Sequence, residues 1–259
     1  MKSKRVLITG GAGYLGSILV GSLLDKKYKV TVIDNLTYKQ RSLTSYCYNK
    51  DFTFIKGDIR NITTLVNLKD FDIIIPLAAI VGMPACDNNP ELATEVNLEQ
   101  IITIVEKTSK DQQLIIPNTN SQYGSSENII TEESPFKPLS HYAKTKCHAE
   151  TAVIDSDRSG VALRLATVFG LSPRMRLDLL VNDFVYRAVT DKLLVLFQSS
   201  FKRNYIHVRD IANTFLFVIE NYDKCVGEPF NVGLSTANLS KLELAQSIKK
   251  YIPELVIIE

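Results

Sequence analysis

The chain of 259 residues has no apolar run near the roughly 20 residues that a membrane-spanning helix needs. A helical membrane anchor is therefore not expected. An excess of charge of one sign is also missing. The 30 basic side chains stand against 28 acidic ones, a formal net charge of +2. No broad basic field is available for a nucleic-acid backbone, so any bound anion must be held by local features. Cysteine is scarce. Cys47, Cys86, Cys147 and Cys225 are far apart and form no CxxC pair. That argues against a disulfide framework and a cysteine-based metal site, and for reduced thiols in the cytoplasm. Low-complexity segments and internal repeats are absent. The basic start, Met1 to Arg5, meets only three apolar residues, Val6 to Ile8, before the glycines begin. This is too short for a signal peptide.

What is present is an ordinary globular composition, 45% hydrophobic and 22% charged, enough for a large core. Continuous apolar runs at 5–9, 29–34, 52–56, 73–75, 114–116 and 161–165 read as strands buried on both faces. Helical patterns lie between them, at 14–25, from Pro90 to about Lys110, and at about 140–156. This alternation predicts an α/β fold, a Rossmann-type doubly wound parallel sheet. After Gly170 the rhythm loosens. Residues 1–170 are expected to form the dinucleotide-binding domain, with 205–222 packing back on it. Residues 171–204 and 223–259 are expected to form a small interleaved C-terminal substrate lobe.

Gly10, Gly13 and Gly16 follow the first strand and open the first helix. One allows a tight turn, one a close approach to a pyrophosphate, and one close packing of helix on strand. A phosphate then sits at the helix N-terminus. The strand-to-helix context raises this triplet above a purely structural turn. Asp34 ends the second strand. A carboxylate there accepts hydrogen bonds from ribose hydroxyls and repels a 2′-phosphate, which favours NAD over NADP.

Tyr142 and Lys146 are four residues apart, on one face of a predicted helix. An ammonium beside a phenol favours the phenolate, which acts as a general base. The YxxxK spacing alone is common by chance. Here Thr119 adds a hydroxyl just past the C-terminal end of a strand, where open α/β sheets bind ligands.

Together, GGAGYLG at 10–16, Asp34, GDIR at 57–60, LAA at 77–79, Asn97, Tyr123-Gly124, YAKTK at 142–146, LRLATVFG at 163–170 and RNYIHVRD at 203–210 are highly specific. By these motifs nearly the whole chain resembles the extended short-chain dehydrogenase/reductase family, in its nucleotide-sugar epimerase/dehydratase branch. The resemblance implies NAD as cofactor, a nucleotide-diphosphate sugar as substrate, and a homodimer joined by a four-helix bundle from the 90–110 and 140–156 helices, with Cys147 and His148 near the contact. It implies that Gly10, Gly13, Tyr14, Leu15, Gly16, Asp34 and Asn35 hold one end of the cofactor. Asp58 and Ile59 flank the adenine, while Leu77, Ala78 and Ala79 line the cofactor. Asn97 supports Lys146, Tyr142 is the base, and Lys146 also binds the nicotinamide ribose. Thr119, Thr167, Asn182 and Arg203 contact substrate.

Several positions depart from the family pattern. Pro76 replaces a frequent His, and Thr167 a frequent Asn. Asn120 and Ser121 stand where 4,6-dehydratases carry an acidic pair, so dehydration is disfavoured. Relatives usually continue for some tens of residues beyond this C-terminus, so a truncated substrate lobe is expected. Three readings stay open: an epimerase acting at carbon 4, a ketosugar reductase, and a non-catalytic dinucleotide-binding module. Cys86 is an acid–base candidate for a 3,5-epimerisation, although a partly buried thiol is the simpler reading.

Overall fold

The apolar runs form β1 (Arg5–Thr9), β2 (Lys29–Asp34), β3 (Phe52–Lys56), β4 (Ile73–Pro76), β5 (Gln113–Thr119) and β6 (Val161–Leu165). This is a computed structural model, and it describes residues 3–124 and 129–259. The basic start considered above therefore lies partly outside the described residues, at Met1 and Lys2.

Period-two alternation sends β1 side chains to both faces of the sheet. Val6 and Ile8 join one core and Leu7 the other. The first core is covered by Leu19, Val20 and Leu23 of α1 (Tyr14–Asp25). The second is covered by α2 (90–107) and α3 (His141–Ile154), through Val96, Ile101, Ile104, Ala149 and Val153. α2 stops at Lys107, three residues before the expected end. It is also not uniform, because Glu95–Glu99 is π-helical. α3 starts where Ser140 caps it, with the Ala143 N–H donating to Ser140 Oγ at 3.2 Å.

The rest of the chain adds β7 (Thr167–Phe169), α4 (Leu180–Thr190), β8 (Leu193–Val195), β9 (Lys202–His207), α5 (Val208–Glu220), β10 (Pro229–Val232), β11 (Asn238–Ser240), α6 (Lys241–Lys249) and β12 (Val256–Ile258). α5 returns to the first core through Ile211, Phe215 and Val218 and packs on α1. Each such side chain contributes about 1.5–3 kcal/mol by leaving water. The small lobe has a separate core that includes Phe184, Leu194, Tyr205, Leu244 and Ile248.

The main sheet has seven parallel strands in the order β10-β6-β5-β4-β1-β2-β3. This is a Rossmann-type doubly wound α/β fold. Two details differ from the expected division. Residues 223–259 do not all join the small lobe, because β10 pairs with β6 and extends the main sheet. Its four residues begin with Pro229, which an edge strand tolerates at its first position. Residues 167–169 leave the main sheet just before the expected boundary and pair with β9. Among the described residues, no helix is long and apolar enough to cross a membrane.

Candidate active site

The strand order reverses between β1 and β4, and open α/β sheets bind ligands at the C-terminal ends of the strands at such a switch point. The glycine loop lies there. Gly10 has φ +68°, and a Cβ on it would come within 2.6 Å of the Ala78 backbone. A Cβ on Gly16 would lie 2.6 Å from the Gly10 carbonyl oxygen. Both positions exclude a side chain, and the absence of one at Gly10 brings the backbone of Leu77 and Ala78 against the loop. The Leu77 N–H donates to the Thr9 carbonyl at 2.9 Å. α1 begins on Gly13 with no side-chain cap, so its first-turn N–H groups are left for an anion. Tyr14 and Leu15 form that first turn.

Asp34 is buried at the end of β2. Its Oδ2 accepts from the Ala12 N–H at 3.0 Å, and its Oδ1 from the Leu36 N–H at 2.8 Å and Gln40 Nε2 at 3.3 Å. The carboxylate is thus fixed to the glycine loop and keeps lone pairs for ribose hydroxyls. The cradle and the acceptor together fit a dinucleotide. Asn35 shapes the adjoining turn, accepting from the Thr37 N–H at 3.0 Å. Asp58 is paired with Arg60 at 2.8 Å, and Ile59 beside it is buried.

α3 carries the reactive set. Thr119 ends β5, and its Oγ1 accepts from the Ser121 N–H at 3.1 Å. That leaves the hydroxyl proton free to face the Tyr142 phenol, which lies close enough for Thr119 to favour its ionised form. Lys146 is buried one turn further along the same helix face. Below it, Asn118 Nδ2 donates to the Lys146 carbonyl at 3.2 Å and also to Glu150 Oε2. Asn97 sits in the π-helical stretch of α2. Its Oδ1 accepts from the Ile80 N–H at 2.8 Å, and its Nδ2 donates to the Ile80 carbonyl at 3.0 Å and Thr145 Oγ1 at 3.4 Å. It therefore braces the loop after β4 against the active-site helix. Such π-bulges recur at functional sites.

A family model described as the NAD dependent epimerase/dehydratase family matches residues 6–233. The chain belongs to this family. Its cofactor is NAD. The chain is similar to an uncharacterised UDP-glucose epimerase, YtcB, of Bacillus subtilis, at 28% identity over 95% of this chain and 79% of that protein. Among solved structures it is similar to a UDP-glucuronic acid 4-epimerase from Bacillus cereus. That structure has a TM-score of 0.87 at 26% identity and covers 98% of this chain and 85% of the other. A dTDP-glucose 4,6-dehydratase from Bacillus anthracis shares the fold. Its TM-score is 0.84 at 24% identity, over 99% of this chain and 84% of that one.

In this epimerase/dehydratase family member the electrostatics of the reactive pair differ from expectation. Lys146 was expected to draw Tyr142 toward its phenolate. Instead burial pushes the Tyr142 phenol up to about 12, with the Cys86 thiol adding to the shift while Arg176 and Thr119 oppose it. Burial also pushes Lys146 down to about 8, against an opposing pull from Glu150. Both groups lose hydration in one pocket, so each favours its neutral form. The phenolate then forms only at higher pH than for an ordinary tyrosine near pH 10. In the cofactor-free protein, the tyrosinate absorbance difference between wild type and Tyr142→Phe should therefore stay flat to about pH 10 and develop near pH 12. A midpoint at or below pH 10 would show that charge, not burial, controls the phenol.

The expected substrate contacts fare unevenly. Asn182 is buried, and its amide is committed within the protein. It accepts from the Gly170 N–H at 2.9 Å and donates to the Arg176 carbonyl at 2.9 Å and the Tyr14 hydroxyl at 3.3 Å. Arg203 is exposed on β9 and has no carboxylate partner among the described residues. Its guanidinium stands 5.9 Å from the Phe201 ring centroid. Thr167 is half-buried on β7, opposite Tyr205. Sequence reasoning missed Arg176, whose charge reaches both Tyr14 and Tyr142. Cys86, expected as a partly buried thiol or an acid–base candidate, lies in a short helix, Met83–Asn88; its thiol is fully buried, 3.3 Å from the Ile80 carbonyl oxygen and close enough to Tyr142 to act on it. No local motif announces either contact. A polar cavity lined by Arg5, Asp72, Asp157 and Tyr222 lies at the opposite, N-terminal ends of the strands and holds none of these residues.

Proposed function

We propose that the protein is an NAD-dependent epimerase of a nucleotide-diphosphate sugar, acting at carbon 4 through a 4-keto sugar. The observation that carries this reading is that Thr119, Tyr142 and buried Lys146 come together at the same end of the sheet as the glycine cradle. The Tyr142 oxygen takes the proton of the sugar 4-hydroxyl. Thr119 hydrogen-bonds the same sugar oxygen as its charge changes. Burial disfavours the phenolate in the cofactor-free protein, whereas a protonated Lys146 favours it and the positive charge of bound NAD would favour it further. NAD, which the glycine cradle and Asp34 would hold, would supply the reversible hydride acceptance that a 4-keto route needs. Asn120 and Ser121 follow Thr119, and neither is a carboxylic acid or base able to expel water from the keto sugar. Epimerisation is therefore favoured over 4,6-dehydration. The likeness to UDP-sugar epimerases supports a UDP-linked substrate.

The dimer is assigned to the outer faces of α2 and α3, where Ile102 and His148 are exposed. Cys147 does not belong to that face, because it is buried and its Sγ points at Gln122 Oε1, 4.0 Å away. The cytoplasmic assignment rests on the free cysteines.

The test is incubation with UDP- and dTDP-linked hexoses and hexuronic acids, with substoichiometric NAD, followed by NMR of the anomeric protons. A new epimer with no net change in nicotinamide is expected. In a parallel assay with ketosugars and added NADH or NADPH, consumption of one reduced nicotinamide per sugar converted would instead identify a ketosugar reductase. NAD binding without any sugar binding would identify a non-catalytic module.

A further inference from the structure

The segment after β7 crosses onto the glycine loop. The Tyr14 hydroxyl donates to the Gly170 carbonyl at 2.5 Å, and the Ser172 hydroxyl donates to the Tyr14 carbonyl at 2.7 Å. Ser17 and Ser172 share a further hydrogen bond at 2.9 Å. The first turn of α1 is thus fastened to the chain that leads into the small lobe. Two residues later, the Arg174 guanidinium lies over the Tyr38 ring, 4.4 Å from its centroid. Arg174 forms no salt bridge among the described residues. Its guanidinium also donates a 3.3 Å hydrogen bond to the Met175 carbonyl. Tyr38 is in turn tied to the ribose acceptor. Gln40 Oε1 accepts from the Tyr38 N–H at 3.1 Å, and Gln40 Nε2 donates to Asp34 Oδ1 at 3.3 Å. The Ala12 N–H, donating to Asp34 Oδ2 at 3.0 Å, joins the two ends.

These contacts make a closed ring through Asp34, Gln40, Tyr38, Arg174, Ser172, Tyr14 and back along the glycine loop. The pyrophosphate cradle and the ribose acceptor both belong to it. We propose that Arg174 and Tyr38 form a latch across the cofactor cleft, and that opening this latch limits the release of the dinucleotide. The guanidinium suits the position for two reasons. It stacks on an aromatic face, and it pairs with a diphosphate where one lies near. The latch rests on the cofactor assignment and deepens the epimerase reading, because a cofactor re-formed in every cycle has no need to leave.

The test loads the protein with NADH, chases it with excess NAD, and follows NADH fluorescence by stopped flow without any sugar. Arg174→Met and Tyr38→Ala should each release NADH about fivefold faster, the worth of one exposed cation–π contact. The double variant should be no faster than either single one, because both break the same contact. Tyr38→Phe keeps the ring and should behave as wild type. Thermal melting of the cofactor-free variants should stay within about 4 °C of wild type, the most that loss of one such contact costs a chain of this size, since Tyr38 is exposed and Arg174 half-buried. Unchanged release in Arg174→Met, or independent additive effects in the double variant, overturns the latch. Missing epimerase activity leaves this test intact and bears only on the sugar reading. Failure of the wild type to bind NADH overturns both.

Discussion

Tyr142→Phe is expected to lower kcat by about 10²- to 10⁴-fold, the range general acid–base groups supply. KM for the sugar and affinity for NAD should change little. The substitution removes one oxygen and keeps the ring, so the packing of the α3 start against β5 survives. The lost oxygen is the proton acceptor in the proposed reaction, and its work is confined to the transition state, which predicts loss in kcat with KM preserved. Thr119→Val should follow the same pattern with a smaller loss. Thr119 acts on the phenol and does not itself take the proton. Steady-state kinetics beside fluorescence titration of NADH separates the outcomes. A Tyr142→Phe enzyme that keeps more than about a tenth of wild-type kcat excludes Tyr142 as the base. A parallel collapse of NADH affinity would show that the phenol holds the cofactor and is not specific to chemistry.

The parts of this site that were legible in the sequence are those with a short-range cause. Gly10, Gly13 and Gly16 follow an apolar run and precede a helical pattern, because the turn, the phosphate and the close packing each demand glycine there. Asp34 is recognisable as the acid that ends β2, and Tyr142 and Lys146 as one turn of a capped helix. The illegible parts depend on residues far apart in the chain. β10 is four residues at a sheet edge and begins with proline, so it has neither the length nor the periodicity of a strand signal. The π-helical stretch around Asn97 leaves the apolar pattern of α2 almost unchanged. The rise of the Tyr142 phenol in the cofactor-free protein was not legible, because spacing shows a neighbouring charge but not the loss of water around both groups. The strap from Gly170 to Ser172 reaches Tyr14 across some 156 residues of chain, and no window of sequence contains both.

Arg164→Met carries the largest expected loss of stability, about 3–5 kcal/mol, the cost of breaking a buried ion pair by removing one partner. Arg164 and Glu150 are each 4% exposed as side chains, and their charged ends approach to 2.5 Å. The arginine also donates to the Tyr123 hydroxyl at 2.5 Å and to the Glu132 carbonyl at 2.8 Å, and its guanidinium lies 4.9 Å from the Phe136 ring centroid. Glu150 in turn receives Asn118 and Gln122. One pair thus ties α3 to β5, β6 and the segment around Glu132, directly beneath Lys146. With methionine at 164 the carboxylate keeps its desolvation cost and loses its counter-charge. For a chain of this size that predicts a fall in Tm of about 10 °C, since each kcal/mol moves Tm by roughly 2–4 °C. The double variant Arg164→Met/Glu150→Leu should recover most of this loss, because replacing a whole buried pair with apolar side chains is often neutral. Thermal unfolding of the two single variants and the double variant decides the matter. A loss below about 1 kcal/mol for Arg164→Met would mean that water reaches Glu150 and that the pair is effectively a surface one. A double variant as unstable as the single one would place the loss in the Tyr123, Glu132 and Phe136 contacts, which methionine cannot remake, and would make Arg164 chiefly the anchor of that segment.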